Sequence, residues 1–185
     1  MSAHIRLILF AVLVAVQLAV PAWMIAGREM TLRHGQVFRF KCAPVDPYDA
    51  FRGRFVALNL RDTSPQWTGK PLARGQMVYA LLAENPDGFA RITGVSLTYP
   101  ESGPCIRAKI GWSNQQGELS LSLPFDRYYM DEFAAPEAEL AYRDNLRKGE
   151  RNAYVTVRVR GSDSVLEELY IDNLPVKEYL DSTKR

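Results

Sequence analysis

The sequence predicts a mainly β domain, an antiparallel barrel or sandwich of about eight or nine strands with one surface helix, preceded by a single transmembrane helix. Three observations lead to this fold class. An uncharged apolar run lies near the N-terminus, apolar and polar residues alternate along most of the remaining chain, and turn-forming sequences separate the alternating stretches. Alternation with a period of two is typical of strands that bury one face.

The apolar run covers residues 7–26 and is interrupted only by Gln17 and Pro21. Its length is about that needed to cross roughly 30 Å of hydrocarbon. A signal peptidase could cut after the small residues at 20–22, but the run continues past them and exceeds the apolar core of a usual signal peptide. We therefore expect a retained anchor at 7–26, a tail at 1–6 and one extracytoplasmic domain at 27–185. A cleaved signal peptide is the alternative.

Eight stretches of the domain have a strand-like apolar pattern. They are 38–42, 56–60, 77–83, 90–99, 106–110, 119–123, 155–159 and 165–171. Four turn sequences lie between them: NPDG at 85–88, SGP at 102–104, NQQG at 114–117 and RGSD at 160–163. Because Gly, Pro, Asn and Asp favour turn conformations, these sequences mark reversals between antiparallel strands.

One helix is predicted over residues 136–148, with Pro136 in its first turn, acidic residues near its start, basic residues near its end and Gly149 beyond it. Its low apolar content predicts that it lies on the surface. The polar stretch 62–74 contains Trp67 and is long enough to be a binding loop. We favour the interpretation that Trp67 instead folds back onto the core.

The composition argues against several functional classes. The net charge is only +2, and the basic residues are scattered along predicted strands, so a nucleic-acid role has no support. The two histidines and two cysteines do not have metal-ligand spacing. Phosphate-loop, dinucleotide-binding and nucleophile-elbow motifs do not occur. We therefore expect neither a metal site nor a cofactor.

The two cysteines, Cys42 and Cys105, each lie at the edge of a predicted strand. In an exported domain, a pair of cysteines favours a disulfide. We expect this bond to form, and two buried free thiols are the alternative.

Two patches carry a family resemblance. The letters DPYDAFRG at 46–53 run into GRFVALNL at 53–60, and RYYMDE follows at 127–132. The first patch resembles the bacterial membrane-anchored family named after its GDYXXLXY motif, in which the lead-in Asp-Pro-x-Asp-x-x-Arg-Gly precedes that motif. The lead-in is intact here. In the motif proper Gly53 and Leu58 match and Phe55 keeps the aromatic ring, whereas Arg54 and Leu60 depart from it. The second patch resembles the later Arg-Tyr-Tyr segment of such proteins.

This resemblance covers most of the chain and implies a single-pass protein of the bacterial inner membrane with its domain on the periplasmic or extracellular side. The two patches supply the candidate site residues. These residues are polar or aromatic, and their polar groups are not needed to form the hydrophobic core. They are Asp46, Asp49, Arg52, Arg127, Tyr128, Tyr129, Asp131 and Glu132.

The first patch contains two prolines that disfavour helix, so we expect Asp46, Asp49 and Arg52 to form one hydrogen-bonded charged turn. We expect the second patch to pack close enough to share a surface with it. Adjacent residues of a strand face opposite sides, so one of Tyr128 and Tyr129 should lie in the core and the other at the surface.

Two functions follow from these residues. The favoured one is a non-catalytic accessory domain, tethered to the inner membrane by its N-terminal helix, that binds an envelope or membrane protein or a glycan. The alternative is a hydrolase of envelope polymers. Carboxylates such as Asp46 and Asp131 could act as general acid and base if the fold brings them about 5 to 10 Å apart.

Overall fold

The computed structural model describes residues 3–43, 55–61, 63–114, 116–147 and 152–183. Its helices are α1 (Ala3–His34), α2 (Ala135–Arg147) and α3 (Val176–Thr183). Its strands are β1 (Gln36–Lys41), β2 (Phe55–Ala57), β3 (Met77–Glu84), β4 (Ala90–Ser96), β5 (Cys105–Ser113), β6 (Leu119–Ser122), β7 (Arg127–Tyr129), β8 (Ala153–Arg160), β9 (Asp163–Ile171) and β10 (Leu174–Pro175).

The strands form three antiparallel sheets with the orders β1-β8-β9-β10, β4-β3-β5-β6 and β2-β7. The apolar faces of all three sheets contribute to one core. Its largest fully buried strand residues are Phe38, Phe40, Ile106, Ile110, Leu119, Leu169 and Ile171. The predicted fold class, a mainly β antiparallel domain of sandwich type behind an N-terminal apolar helix, is confirmed.

Each of the eight predicted stretches contains a strand, although β2 is only three residues long. The sequence did not predict β10, which pairs with β9 across a tight turn at Asp172 and Asn173. Both residues have positive φ, 51° and 64°. Two consecutive residues of this kind form the turn that best matches the twist of a hairpin, and Asp and Asn tolerate it better than most residues.

Helix α1 runs past the predicted boundary at residue 26 and ends at His34. By length and composition it could cross a membrane, because Leu7–His34 contains an 18-residue window with a mean hydropathy of 2.4, and no residue of that window is buried. Its last turn packs against β8 and β9, and Thr31 is buried there. Only Gly35 separates α1 from β1, so helix and domain are joined without a linker.

Helix α2 was predicted correctly in place and lies at the surface of the domain, but one of its faces packs into the core, which the sequence analysis did not predict. Ala138, Tyr142 and Leu146 are buried in the core. They recur every fourth residue and so lie on one face of the helix. The overall apolar content hid this face because the rest of the helix is polar. Helix α3 was not predicted, and it packs in the same way through Val176 and Leu180.

The favoured interpretation of Trp67 is confirmed. The indole is partly buried and packs against the core. Its Nε1 donates a hydrogen bond to the Lys70 carbonyl at 2.8 Å, and its backbone N–H donates to the Gly117 carbonyl at 2.7 Å. Trp67 therefore covers the core rather than projecting into solvent.

Candidate functional site

The two patches that the sequence singled out lie next to each other. Strand β2 carries the motif and strand β7 carries Arg-Tyr-Tyr, and they pair antiparallel with Phe55 opposite Tyr129 and Ala57 opposite Arg127. A backbone hydrogen bond from Leu58 to the Asp126 carbonyl, at 2.9 Å, extends the pairing. The pairing joins the described part of the first patch to the second patch, and the predicted shared surface with the charged turn at 46–52 stays a prediction.

The charged turn predicted for the first patch lies outside the described residues. Its members Asp46, Asp49 and Arg52 belong to the segment 44–54. The expectation that they form one hydrogen-bonded turn stays a prediction. The described part of the site begins at Phe55.

The outer face of the β2–β7 pair carries Phe55, Arg127 and Tyr129, which we call the ribbon surface. The Phe55 and Tyr129 rings lie 5.6 Å apart between centroids, tilted by 58°. The Arg127 guanidinium lies 4.8 Å from the centroid of the Phe55 ring, within range of a cation–π interaction. Tyr129 is 68% exposed. The contacts within this group hold an aromatic and cationic surface that faces solvent.

The inner face of the same pair belongs to the core. Tyr128 is only 8% exposed, and its hydroxyl donates a hydrogen bond to Glu168 Oε1 at 2.5 Å. Burial raises the pKa of Tyr128 well above its usual value, and the hydrogen bond to Glu168 raises that pKa further. The hydroxyl therefore stays protonated and acts as a donor. The expected division of the two tyrosines is confirmed, and Tyr128 is not part of the exposed surface.

Asp131 stabilises the chain ahead of α2. Its Oδ1 accepts backbone hydrogen bonds from Phe133 at 2.9 Å and from Ala134 at 3.4 Å, and its carbonyl accepts one from Ala135 at 2.9 Å. This pattern is that of a residue that caps the start of a helix. The Asp131 carboxylate is exposed but already engaged in structure.

The neighbouring residues Glu132 and Phe133 are both exposed. Phe133, four residues beyond Tyr129, is the more surprising of the two, because 85% of this large apolar residue is exposed. Sequence reasoning did not select Phe133. An aromatic residue just ahead of a capped helix could have drawn attention to it. Among the described residues, no group of three or more His, Cys, Asp and Glu side chains could hold a metal ion.

The predicted disulfide between Cys42 and Cys105 is not formed, and both residues are buried free cysteines. Cys42 follows β1 and lies beside Tyr142, whose hydroxyl donates to the Ala43 carbonyl at 3.5 Å, whereas the Cys105 sulfur, at the start of β5, lies 3.7 Å from the Gly161 carbonyl oxygen. Burial raises the pKa of Cys42 to about 12. Cys42 lies just beyond β1 and Cys105 lies in β5 of a different sheet, and the two contact different partners, so the disulfide prediction is corrected to the alternative of two free thiols.

A groove of about 540 Å³ forms a second feature, at the place where α1 joins the domain. Its walls come from the end of α1, from β5 and from β9. They include Trp23, Arg28, Arg107, Lys109 and Ser164. Sequence reasoning did not select these residues, because they are distant in the chain; the only local signal was a basic residue just beyond the apolar run.

Residues 17–169 match the family model described as GDYXXLXY protein. The match begins within α1, includes both patches and ends in β9. No curated protein and no solved structure matches the chain.

Proposed function

The chain belongs to the GDYXXLXY protein family, and from that premise we propose that it is a membrane-anchored accessory protein of the bacterial envelope. Helix α1 is retained in the inner membrane, the β domain lies on the outer side, and the ribbon surface binds a partner protein without catalysis.

Membrane anchorage is supported by α1 itself. The helix is long and apolar enough to cross a bilayer, and none of its most apolar window is buried against the domain. Its last turn is part of the folded domain, because Thr31 is buried and the Gly35 N–H donates to the Thr31 carbonyl at 2.8 Å. A short N-terminal tail with the domain outside is the simplest topology for such a chain. Mass spectrometry of the membrane fraction should therefore find a mature chain that still contains the residues before Trp23.

The observation that carries the binding proposal is the group of exposed Arg127 and Tyr129 with half-buried Phe55. Tyr and Arg are the residue types that most often dominate the binding energy of protein interfaces, and aromatic residues are enriched at interface centres. The paired strands and the ring contacts restrict these side chains before any partner arrives. Less side-chain entropy is then lost on binding, which favours affinity.

Binding is favoured over hydrolysis by the described carboxylates. Asp131 accepts backbone hydrogen bonds ahead of α2, and Glu168 accepts hydrogen bonds from the Tyr128 hydroxyl and the Leu169 backbone N–H. Both groups are thus held by structural contacts. Burial and the hydrogen bond to Glu168 raise the pKa of Tyr128, so its hydroxyl stays protonated, which suits a structural donor rather than a catalytic base.

The test uses the full-length protein in its own membrane. A photoreactive amino acid replaces Tyr129, and a second strain carries it at Tyr99, an exposed tyrosine on a different part of the domain. We expect a discrete protein cross-link from position 129 and none of the same mass from position 99.

A variant pair then tests affinity. We expect the double variant Arg127→Ala/Tyr129→Ala to recover at least tenfold less of the cross-linked partner, and the control Arg91→Ala/Tyr99→Ala to recover as much as the unaltered protein. Thermal unfolding should stay within a few degrees in both. A sharp fall in melting temperature for the first variant would mean that the surface is structural. If position 129 gives no protein cross-link, and the Arg127→Ala/Tyr129→Ala variant no longer binds isolated cell-wall glycan that the unaltered protein binds, the ligand is a glycan instead.

A further inference from the structure

We infer that the groove between α1, β5 and β9 binds the phosphate group of an anionic membrane phospholipid. This inference rests on the membrane anchorage proposed above and is independent of the ribbon surface. It follows from where the groove lies, how firmly it is held there and which side chains line it.

The groove lies at the level of the lipid headgroups. The apolar run of α1 ends at Ala26, and a helix rises about 1.5 Å per residue, so Arg28 lies about 3 Å beyond the hydrocarbon edge. Trp23, which is 83% exposed, lies just inside that edge, where tryptophan side chains are enriched in membrane proteins. Both Trp23 and Arg28 line the groove. Its mouth therefore faces the layer in which lipid phosphates are found.

The height of the groove above the membrane is fixed by the junction of helix and domain. Gly35 is the only residue between α1 and β1, and a guanidinium N–H of Arg158 donates to the Gly35 carbonyl at 3.4 Å. Arg158 is itself held by a two-point ion pair with Glu167, at 2.9 and 3.0 Å. Helix and sheet thus present the groove to the membrane as one unit, without a flexible connection.

The charges of the groove suit an anion. Its lining contains three basic side chains, Arg28, Arg107 and Lys109, and one acidic side chain, Asp163. Asp163 lies 4.0 Å from Arg107 and offsets part of that charge. Within the described part of the chain, neither Arg28 nor Lys109 has an ion pair. Two basic groups therefore remain to contact a phosphate, which both Arg and Lys bind well.

The remaining walls suit the rest of a lipid headgroup. Ser164 contributes a buried hydroxyl that has no hydrogen-bond partner among the described residues. Buried polar groups nearly always have one, and a ligand oxygen could supply it after a change of the Ser164 rotamer. Met24 and Leu123 add apolar surface beside the basic groups. The volume of about 540 Å³ exceeds that of a phosphate alone and can hold the glycerol portion too.

The experiment measures lipid binding by the full-length protein in nanodiscs and by native mass spectrometry after release into detergent. The probes are phosphatidylglycerol and the zwitterionic phosphatidylcholine. We expect retained phosphatidylglycerol on the unaltered protein, and an affinity about thirtyfold lower in Arg28→Gln/Lys109→Gln, since each cation near a membrane surface contributes about 1 kcal/mol. The control Arg91→Gln/Lys177→Gln removes the same charge from exposed positions outside the groove lining and should bind as the unaltered protein does.

A photoreactive phosphatidylglycerol adds a measurement that needs no variant. We expect this lipid to cross-link to peptides from β5 or β9. Cross-links confined to α1 would show that the lipid does not bind in the groove. Equal retention of phosphatidylglycerol and phosphatidylcholine would overturn the proposed site. An equal loss of affinity in the control Arg91→Gln/Lys177→Gln would also overturn it, because general surface charge would then explain the binding. Competition by soluble glycerol phosphate at the same concentration would show that the ligand is not a lipid. Failure of the protein to enter nanodiscs would contradict the anchorage instead, and so is distinguishable from failure of the lipid site.

Discussion

The β2–β7 ribbon and the junction between α1 and the β1-β8-β9 sheet differ in how much of each is buried. Each ribbon strand has three residues, and the only buried residue of β7 is Tyr128. Strand β8 has eight residues, pairs with β1 and β9 along its length, and buries its first five residues in succession. A strand covered on both faces carries stability, whereas a ribbon covered on one face leaves the other free for recognition.

The second face of β8 is covered by aromatic residues rather than by another sheet. Tyr154 on β8 stacks on Tyr170 of β9, with centroids 4.8 Å apart and rings within 5° of parallel. Phe89 meets Tyr154 edge to face at 5.6 Å, and Lys41 lies over the Phe89 ring. Substitutions at the junction should therefore cost more free energy of unfolding than substitutions on the ribbon surface.

The largest effect is expected for Gly35→Ala. A Cβ at this position would lie 2.5 Å from the Thr31 carbonyl oxygen and 3.1 Å from backbone atoms of Val159. Because both neighbours are backbone, they cannot move aside as a side chain could. We expect a loss of about 3 kcal/mol in the free energy of unfolding, measured by denaturant titration of the detergent-solubilised chain.

The matched control is Gly27→Ala, in the same helix. Nothing lies within 4 Å of a Cβ built there. Alanine favours helix over glycine by about 1 kcal/mol, so this variant should be unchanged or slightly more stable. Equal destabilisation of both variants would refute the view that close backbone contact makes Gly35 essential.

A smaller effect is expected within the ribbon, where the same substitution can be made in neighbouring tyrosines. Tyr128→Phe removes the hydroxyl that donates to Glu168 and leaves a partly buried carboxylate without this donor. We expect a loss of about 2 kcal/mol. Tyr129→Phe removes a hydroxyl from a ring that is 68% exposed and should change the free energy of unfolding by less than about 0.5 kcal/mol. Thermal and chemical unfolding of both variants decide the matter; similar values for the two would remove the distinction between inner and outer faces.

Alkaline pH should weaken the core near β1. Cys42 has a pKa raised from 9.0 to about 12 by burial, so the folded protein holds this proton more tightly than the unfolded chain. Its contribution is fully present below pH 9 and is lost as the pH rises towards 12. We expect the free energy of unfolding to fall by about 1 kcal/mol between pH 9 and pH 10. Cys42→Ala should reduce that slope, and an identical slope in this variant would rule out Cys42 as its source.

The smallest expected effect is that of a reductant. With both cysteines free, reduction should leave the melting temperature unchanged, whereas a disulfide closing a loop of this size would contribute about 4 kcal/mol. Alkylation of protein unfolded without reductant should modify both thiols. A protein with no alkylatable thiol, and a melting temperature that falls on reduction, would restore the disulfide.

The sequence alone predicted those parts of the molecule that local pattern determines. Alternation at 106–110 and 155–159 placed β5 and β8, because burial of one strand face requires that period. The apolar run placed α1, and the neighbouring tyrosines of β7 had to face opposite ways. The sequence could not show that Tyr128 rather than Tyr129 faces inward, since that depends on its pairing with Val56.

The tertiary structure decided which distant residues meet. The ribbon joins Phe55 to Tyr129, and the groove joins Arg28 to Lys109 and Ser164, across intervals that no local pattern spans. The same reason explains the cysteines: their edge positions were predictable, but a disulfide needs two sulfur atoms in one place, and the sheets hold Cys42 beside Tyr142 and Cys105 beside Gly161. Local periodicity determines the elements, whereas packing of the three sheets around one core determines the surfaces that those elements form together.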